Sequence, residues 1–248
     1  MADTVRLKIK RQDSLDAAAR WEEFEVPYRK GENVLTCLMD IQKNPVNSKG
    51  ETTTPVAWEC NCLEEVCGAC TMVINRKVRQ GCTALVDTLK QPIILEPMIK
   101  FPLIRDLMVD RSSMFESLMQ VHAWIDIDGT HNLELGPRVH PETQARRYEL
   151  SRCMTCGCCL EACPQYNSRS GFIGPAALNQ VVFFNEHPSG KLHKDVRLSA
   201  IMGPGGLADC GNAQNCGKVC PKEIPLTESI AELYRETTWY GMLSWLKK

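Results

Sequence analysis

The sequence lacks the features that mark several large classes of protein. None of its apolar runs approaches the roughly 20 residues that a membrane-crossing helix needs. The amino-terminal stretch has no apolar signal core, and the acidic Asp3 argues against an organelle transit peptide. A net charge of −1 offers no basic surface for nucleic acid. These absences predict no transmembrane segment, no signal peptide, no nucleic-acid partner and a bacterial cytoplasmic location.

Motifs for nucleotide binding and for hydrolysis are also missing. No G-x-x-x-x-G-K-[ST] occurs, and the glycine-rich residues 203–206 do not follow a strand in a βαβ unit, which favours a loop. No Ser–His pair or pair of carboxylates is prominent, so no catalytic residue and no flavin site are predicted in this chain.

Cysteine, by contrast, is abundant, with 14 residues, and its spacing is informative. The first group has the spacing C-x4-C-x2-C-x11-C, which is typical of a plant-type 2Fe–2S site. Its members are Cys62, Cys67, Cys70 and Cys82. Cys60 could replace Cys62 only at an x6 spacing, which favours Cys62.

The second group follows the bacterial ferredoxin pattern C-x2-C-x2-C-x3-C-P, and a downstream copy has one cysteine replaced. The first run consists of Cys153, Cys156, Cys159 and Cys163, followed by Pro164. The same offsets downstream give Cys210, Ala213, Cys216 and Cys220, followed by Pro221. In two-cluster ferredoxins the fourth cysteine of each run binds the other cluster.

This exchange predicts two further clusters. The 4Fe–4S cluster takes Cys153, Cys156, Cys159 and Cys220. The other takes Cys163, Cys210 and Cys216, because the methyl group of Ala213 cannot bind iron. Three thiolates predict a 3Fe–4S cluster, and the alternative is a 4Fe–4S cluster whose odd iron carries water.

Disulfides and zinc are the competing explanations for so many cysteines. Disulfides suit small secreted chains, and this chain has no signal core. Zinc ribbons use paired C-x2-C units rather than these spacings. Of the remaining cysteines, Cys37 reads as a small buried hydrophobe, whereas Cys158 lies between two predicted ligands and does not fit the template.

The order of the predicted elements indicates an α+β chain. Val5, Leu7 and Ile9 alternate with polar residues in a strand, a second strand follows, and helical spacing covers residues 31–43. Strands at 71–74, 78–82 and 92–95 surround a turn at 75–77 and follow the cysteine loop. This order predicts a β-grasp 2Fe–2S ferredoxin domain over residues 1–105.

Residues 106–248 are predicted to form a mostly helical, dicluster ferredoxin-like domain. Helices are expected at 112–124, 141–150, 174–186 and 227–238. His122 lies on one face of the first with Phe115 and Met119, and is expected to be a core or edge residue rather than a ligand. The aromatic stretch 239–248 either packs on a membrane partner or closes the core of its own domain.

These residues resemble the iron–sulfur subunit of the succinate dehydrogenase/fumarate reductase family over nearly the whole chain, including Phe172-Ile173-Gly174-Pro175-Ala176. The resemblance implies a flavoprotein subunit that carries FAD and interconverts succinate and fumarate. It also implies a membrane-anchor cytochrome b subunit with haem, and delivery of single electrons to quinone. The chain would be peripheral, at the cytoplasmic face of the bacterial membrane.

Departures from the family pattern bear on the quinone. Gly211 stands where ubiquinone-using relatives often have histidine, and Pro164-Gln165-Tyr166-Asn167 lacks their tryptophan. Leu63 replaces a frequent arginine. The pattern is more similar to two-haem relatives that use menaquinone. Three alternatives remain: a quinol:fumarate reductase subunit, a soluble multi-cluster ferredoxin carrier, and the iron–sulfur subunit of a different flavoenzyme.

Overall fold

The computed structural model describes residues 4–126 and 137–246, which fold into two compact units. The first unit contains Met1–Arg111 and a later segment, Met154–Glu161. The second contains Ser112–Cys153 and Ala162–Lys248. The first two cysteines of the C-x2-C-x2-C-x3-C run, Cys153 and Cys156, therefore belong to different units.

The strands lie in the first unit and form two sheets. They are β1 (Thr4–Arg11), β2 (Arg20–Pro27), β3 (Thr71–Ile74), β4 (Lys77–Gln80), β5 (Ile93–Glu96), β6 (Leu103–Arg105) and β7 (Met108–Val109). The larger sheet has the order β2-β1-β5-β3-β4, and β6 pairs with β7. The neighbours β1 and β5 are parallel, whereas the other pairs of the larger sheet are antiparallel.

The helices occur in both units, and 3₁₀ turns connect several of them. The helices are α1 (Val34–Lys43), α2 (Ser112–Gln120), α3 (Pro141–Ser151), α4 (Cys158–Glu161), α5 (Pro175–Glu186), α6 (Lys194–Met202), α7 (Asn215–Val219) and α8 (Leu226–Leu246). The 3₁₀ turns span Val86–Thr88, Gly190–His193 and Leu207–Asp209. The order of elements confirms the predicted α+β class.

Alternation of apolar and polar residues explains the sheet. Val5, Leu7 and Ile9 of β1 are fully buried, while their polar neighbours face outward. Helix α1 covers this face with a buried stripe that includes Leu35 and Leu38. The helix begins after Asn33, whose side chain accepts the backbone N–H of Thr36 at 3.0 Å.

A buried ion pair joins the start of the first unit to its end. Arg11 and Asp106 are both fully buried, and Arg11 Nε donates to Asp106 Oδ1 at 3.0 Å. Asp106 also accepts the backbone N–H groups of Gln12 and Ala57, while Arg11 donates to the Thr54 carbonyl. These additional hydrogen bonds are what allow charged groups to be buried.

Helix α5 forms the centre of the second unit, because most of its residues are buried and it packs against α8 and α3. Asn179 of α5 links both neighbours: its amide donates to the Leu150 carbonyl, and its oxygen accepts from the Ser229 hydroxyl. Arg197 of α6 is also fully buried and hydrogen-bonds to three backbone carbonyls and to Asn185.

Two helices differ from the sequence predictions. Helix α2 ends at Gln120, and its predicted face is mainly exposed, with Phe115 at 58% and Met119 at 63%. The buried residue of α2 is Met114, which precedes Phe115 in the sequence. This short helix therefore buries a narrower stripe than the spacing of its apolar residues predicted. Helix α8 runs beyond the predicted 227–238 to Leu246. Among the described residues, no helix combines the length and apolar character needed to cross a membrane.

Candidate metal centres

The structure brings together the four cysteines predicted to bind the 2Fe–2S cluster. The thiols of Cys62 and Cys67 are hydrogen-bonded to each other, as are those of Cys70 and Cys82. The charge of Cys62 also contributes to the raised pKa of Cys82. Three of the four lie in the loop between α1 and β3, and Cys82 follows β4. Asn33, at the start of α1, holds this last segment by donating to the Cys82 carbonyl at 2.9 Å.

Backbone N–H groups surround the sulfur of Cys62. Those of Glu64, Val66 and Cys67 point at Cys62 Sγ at 3.4, 3.3 and 3.3 Å. Their donation lowers the pKa of this thiol to about 7. Leu63 and Glu65 take left-handed backbone conformations, which curl the loop around the sulfur. The loop is therefore organised to stabilise negative charge on sulfur, which is the form that binds iron.

The other half of this site is buried. Cys70 and Cys82 are both about 5% exposed or less, and burial raises the pKa of Cys82 to about 11. Gln80 of β4 is fully buried beside them, with Oε1 3.3 Å from Cys70 Sγ. Its Nε2 donates to the Thr71 hydroxyl at 2.6 Å and lies 3.6 Å from Cys158 Sγ.

Gln80 thus lies between a predicted 2Fe–2S ligand and the turn that carries Cys156 and Cys159. No sequence pattern indicated this role, because a glutamine at the end of a short strand is ordinarily solvated. Its burial depends on the segment 154–161 belonging to the first unit, which strand and helix patterns do not reveal.

Gly68 allows this close approach. A Cβ atom at Gly68 would lie 2.7 Å from Cys156 Cβ, and the residue has a φ of +76°. Arg111 fixes the same backbone by donating to the carbonyls of Gly68 and Ala69 at 2.8 and 2.6 Å. Only glycine fits here without strain.

The 4Fe–4S candidates are distributed over the two units. Cys156 and Cys159 belong to the first unit, and Cys153 and Cys220 to the second. Within the first unit, a hydrogen bond from Cys158 lowers the pKa of Cys156 to about 7, and Cys158 itself is fully buried. The same bond, followed by burial, raises the pKa of Cys158 far above its usual range. Cys158 therefore keeps its proton. The assignment of Cys153, Cys156, Cys159 and Cys220 to one cluster rests on their sequence spacing.

The three remaining candidates line one cleft in the second unit. The lining of the cleft includes Cys163, Cys210, Cys216 and Ala213. Burial raises the pKa of Cys216, and the charges of Cys163 and Cys210 raise it further. The cleft thus offers three thiols and a methyl group, which fits a cluster with one iron missing.

Two contacts hold the walls of this cleft. Asn215, at the start of α7, donates to the Ala162 carbonyl at 3.1 Å, next to Cys163. The Tyr234 hydroxyl of α8 donates to the Leu207 carbonyl at 2.8 Å in the turn before Cys210. The residues on either side of Ala213, Asn212 and Gln214, are left-handed and form the bend that places the methyl group in the lining.

The cysteines outside the predicted sites differ in burial. Cys37 is fully buried in α1, as expected for a small hydrophobe, and burial raises its pKa to about 12. Cys60 is exposed, whereas Cys62 receives the three backbone N–H groups. This contrast favours Cys62 over Cys60 as the ligand.

Comparison with known proteins identifies two kinds of iron–sulfur domain in this chain. A family model described as "2Fe-2S iron-sulfur cluster binding domain" matches residues 6–116, and one described as "4Fe-4S dicluster domain" matches residues 149–224. The chain is 61% identical to the "Succinate dehydrogenase iron-sulfur subunit" of Bacillus subtilis, over 94% of this chain and 92% of the relative. It is 35% identical to the "Fumarate reductase iron-sulfur subunit" of Wolinella succinogenes, over 77% and 82%.

Among solved structures, a chain of "Mycobacterium smegmatis Sdh1 complex in the apo form" matches with a TM-score of 0.81. The match covers 96% of both chains at 23% identity, and it therefore bears on the fold alone. Together with the family models, it confirms the predicted order of a β-grasp 2Fe–2S domain followed by a mostly helical dicluster domain.

Proposed function

The chain belongs to the family of iron–sulfur subunits of succinate dehydrogenases and fumarate reductases, and from that premise we propose that it relays single electrons between two partner subunits. One partner is a flavoprotein that carries FAD and oxidises succinate to fumarate. The other is a membrane-anchor cytochrome b subunit at which quinone is reduced. The dicarboxylate site lies on the flavoprotein, and no residue of this chain is catalytic.

The observation that carries this proposal is the presence of sulfur sites with different numbers of thiols. Four cysteines converge in the first unit, and three line a cleft beside Ala213 in the second. The proposed cofactors are a 2Fe–2S, a 4Fe–4S and a 3Fe–4S cluster. Such clusters supply one-electron transfer, which converts the two-electron oxidation of succinate into single steps.

The chain's own residues bind these groups and set their surroundings. The N–H groups around Cys62 stabilise negative charge on its sulfur. Burial of Cys70 and Cys82 keeps water from the other side of the same site. Potentials of protein clusters range from about −700 to +450 mV, depending on hydrogen bonds to sulfur, net charge and exposure. These contacts are therefore the means by which the chain adjusts electron transfer.

We assign attachment to the anchor subunit to the end of α8, with the chain peripheral at the cytoplasmic face of the membrane. Trp239, Met242, Trp245 and Leu246 are all more than half exposed on this helix. Because these apolar side chains remain exposed, they favour the partner-binding alternative over closure of the chain's own core. Removing residues 239–248 should release the chain from membranes while the three clusters are retained.

The relay is tested by anaerobic purification of the chain together with its partner subunits. We expect a covalently or tightly associated flavin in the co-purified flavoprotein, about nine irons per chain for nuclearities of 2, 4 and 3, and three distinct paramagnetic centres. Zinc or disulfides in place of iron and sulfide would refute the cluster proposal. A chain that loads its clusters but elutes alone would instead indicate a soluble carrier.

We propose menaquinone as the acceptor, since the residues after Cys210 and Cys163 lack the histidine and tryptophan of ubiquinone-using relatives. Turnover of the complex with short-chain menaquinone and ubiquinone analogues separates the two. Efficient turnover with ubiquinone alone would contradict the assignment.

The second candidate function is quinol:fumarate reduction, which the likeness to the Wolinella succinogenes protein supports. The ratio of the two rates in the purified complex measures the preferred direction.

A further inference from the structure

Two histidines and an aspartate form a cluster in the second unit that electron relay does not use. His122 and Asp126 follow α2, and His193 ends the 3₁₀ turn before α6. Asp126 Oδ2 lies 3.2 Å from His122 Nε2 and 3.0 Å from His193 Nδ1. The three donor atoms all lie within 4.8 Å of one another.

This donor set suits a transition-metal ion. Imidazole nitrogen and carboxylate oxygen are established zinc ligands, with bond lengths of about 2.0–2.2 Å. A tetrahedral ion with such bonds holds its donors about 3.3 Å apart, close to the two spacings from Asp126. Three protein ligands also leave a fourth position for water, as in zinc sites that are open to solvent.

The neighbouring side chain of Trp124 orients the carboxylate. Its Nε1–H donates to Asp126 Oδ1 at 3.0 Å, which leaves Oδ2 facing both imidazoles. Trp124 also packs on the His122 ring, with 3.9 Å between the ring centroids. A hydrogen bond to a metal-binding carboxylate and a packed imidazole are the outer contacts that ordinarily fix ligands in metal sites.

Arg197 holds the two backbone segments that carry the ligands. This buried guanidinium donates to the carbonyls of His122 and Trp124 at 2.9 and 2.8 Å, and to that of Gly190 at 2.7 Å. The first two carbonyls belong to the segment of His122 and Asp126, and the third belongs to the turn of His193. The cluster therefore has a rigid support, unlike a chance meeting of surface side chains.

We propose that His122, Asp126 and His193 bind one divalent transition-metal ion, with Zn²⁺ as the best match to the donors. The ion joins the end of α2 to the turn before α6, and so fastens two segments of the second unit. It is separate from the iron–sulfur sites, and its presence does not depend on the proposed electron relay.

Zinc binding is tested on the purified, cluster-loaded complex with Zn²⁺ alone as the probe. After chelator treatment that leaves the iron content unchanged, we expect one equivalent of zinc to bind per chain. X-ray absorption at the zinc edge should show only nitrogen and oxygen neighbours near 2.0–2.1 Å. Sulfur neighbours at about 2.3 Å would place the zinc on cysteines and overturn the proposal.

Three variants identify the residues. His193→Ala and Asp126→Asn should abolish the stoichiometric binding, and Trp124→Phe, which removes only the indole N–H, should weaken it about 10- to 100-fold. The matched control is His140→Ala, because His140 is exposed and its Nδ1 lies 3.9 Å from a carboxylate oxygen of Glu142. Unchanged iron content and circular dichroism show that each variant is folded. Equal zinc affinity in the parent, His193→Ala and Asp126→Asn proteins would refute the site.

Discussion

The four-cysteine site of the first unit and the three-cysteine cleft of the second surround sulfur in different ways. Around Cys62, three backbone N–H groups approach one sulfur, and a buried glutamine contacts Cys70. In the cleft, burial raises the pKa of Cys216, and the neighbouring Cys163 and Cys210 raise it further. Hydrogen bonds donated to sulfur, as at Cys62, favour its charged form, whereas burial opposes it.

The comparison separates two properties of a cluster site. We expect the number of irons to follow from the count of thiols, which in the cleft depends on the single residue Ala213. The electronic surroundings follow from the backbone and from polar neighbours such as Gln80. The two properties can therefore be changed independently, and each prediction below alters one of them.

The largest expected effect comes from removing a thiol of the four-cysteine site. Cys67→Ala should eliminate the 2Fe–2S centre, because a methyl group cannot bind iron. Iron should fall by about two atoms per chain, and the paramagnetic signals of the other centres should remain. Cys60→Ala, in the same loop, is the control and should leave all signals intact. Loss of the signal in the control instead would identify Cys60 as the ligand.

The next effect adds a thiol to the three-cysteine cleft. Ala213→Cys should convert a 3Fe–4S cluster into a 4Fe–4S cluster, with a gain of about one iron per chain. Mössbauer spectra and iron analysis measure the change, and Ala213→Ser controls for the change in size. An unchanged iron count would favour the alternative in which the parent already holds four irons, one of them carrying water.

A smaller effect concerns the backbone near Cys156. Gly68→Ala should destabilise the first unit by about 1–3 kcal/mol through overpacking against Cys156, in addition to the strain of a positive φ. Gly50→Ala is the matched control, since Gly50 has a similar φ of +82° with no atom within 4 Å of the added Cβ. Thermal midpoints of the two variants compare them. Equal thermal midpoints would show that the backbone of residues 67–69 can shift to accommodate the added methyl group without a loss of stability.

The smallest effect concerns the electronic surroundings alone. Gln80→Leu removes the amide oxygen that lies 3.3 Å from Cys70 Sγ while preserving volume. We expect a higher 2Fe–2S potential, because a carbonyl oxygen facing the sulfur opposes the added negative charge of the reduced cluster. The potential of the centre proposed for the three-cysteine cleft should not move, because that cleft lies in the second unit. Redox titration followed by paramagnetic resonance measures each centre separately. A parallel shift of all centres would indicate a general loosening of the fold.

Much of the fold follows from local patterns in the sequence. Alternation at Val5, Leu7 and Ile9 predicted β1, and cysteine spacing grouped the residues that the structure brings together at the four-cysteine site and in the cleft. Such patterns act over a few residues. They did not reveal that 154–161 belong to the first unit, because that depends on contacts between distant segments.

The burial of several polar side chains could also not be predicted from the sequence. Gln80, Arg11 and Arg197 are fully buried, although each residue type is usually exposed. His122 shows the same limit: α2 ends at Gln120, before His122, and the left-handed backbone of His122 places its side chain beside Asp126 and not on the helix face. Only the tertiary contacts of these side chains distinguish them from solvated residues.

The Arg11–Asp106 pair has a consequence for how the first unit responds to cleavage. Peptide bonds near Leu63 and Glu64 are exposed, so a protease can reach them. The fragments on either side of such a cut would still share the parallel pairing of β1 with β5 and the buried guanidinium–carboxylate contact. A nicked chain would consequently migrate as one particle under native conditions and separate into two pieces only in denaturant.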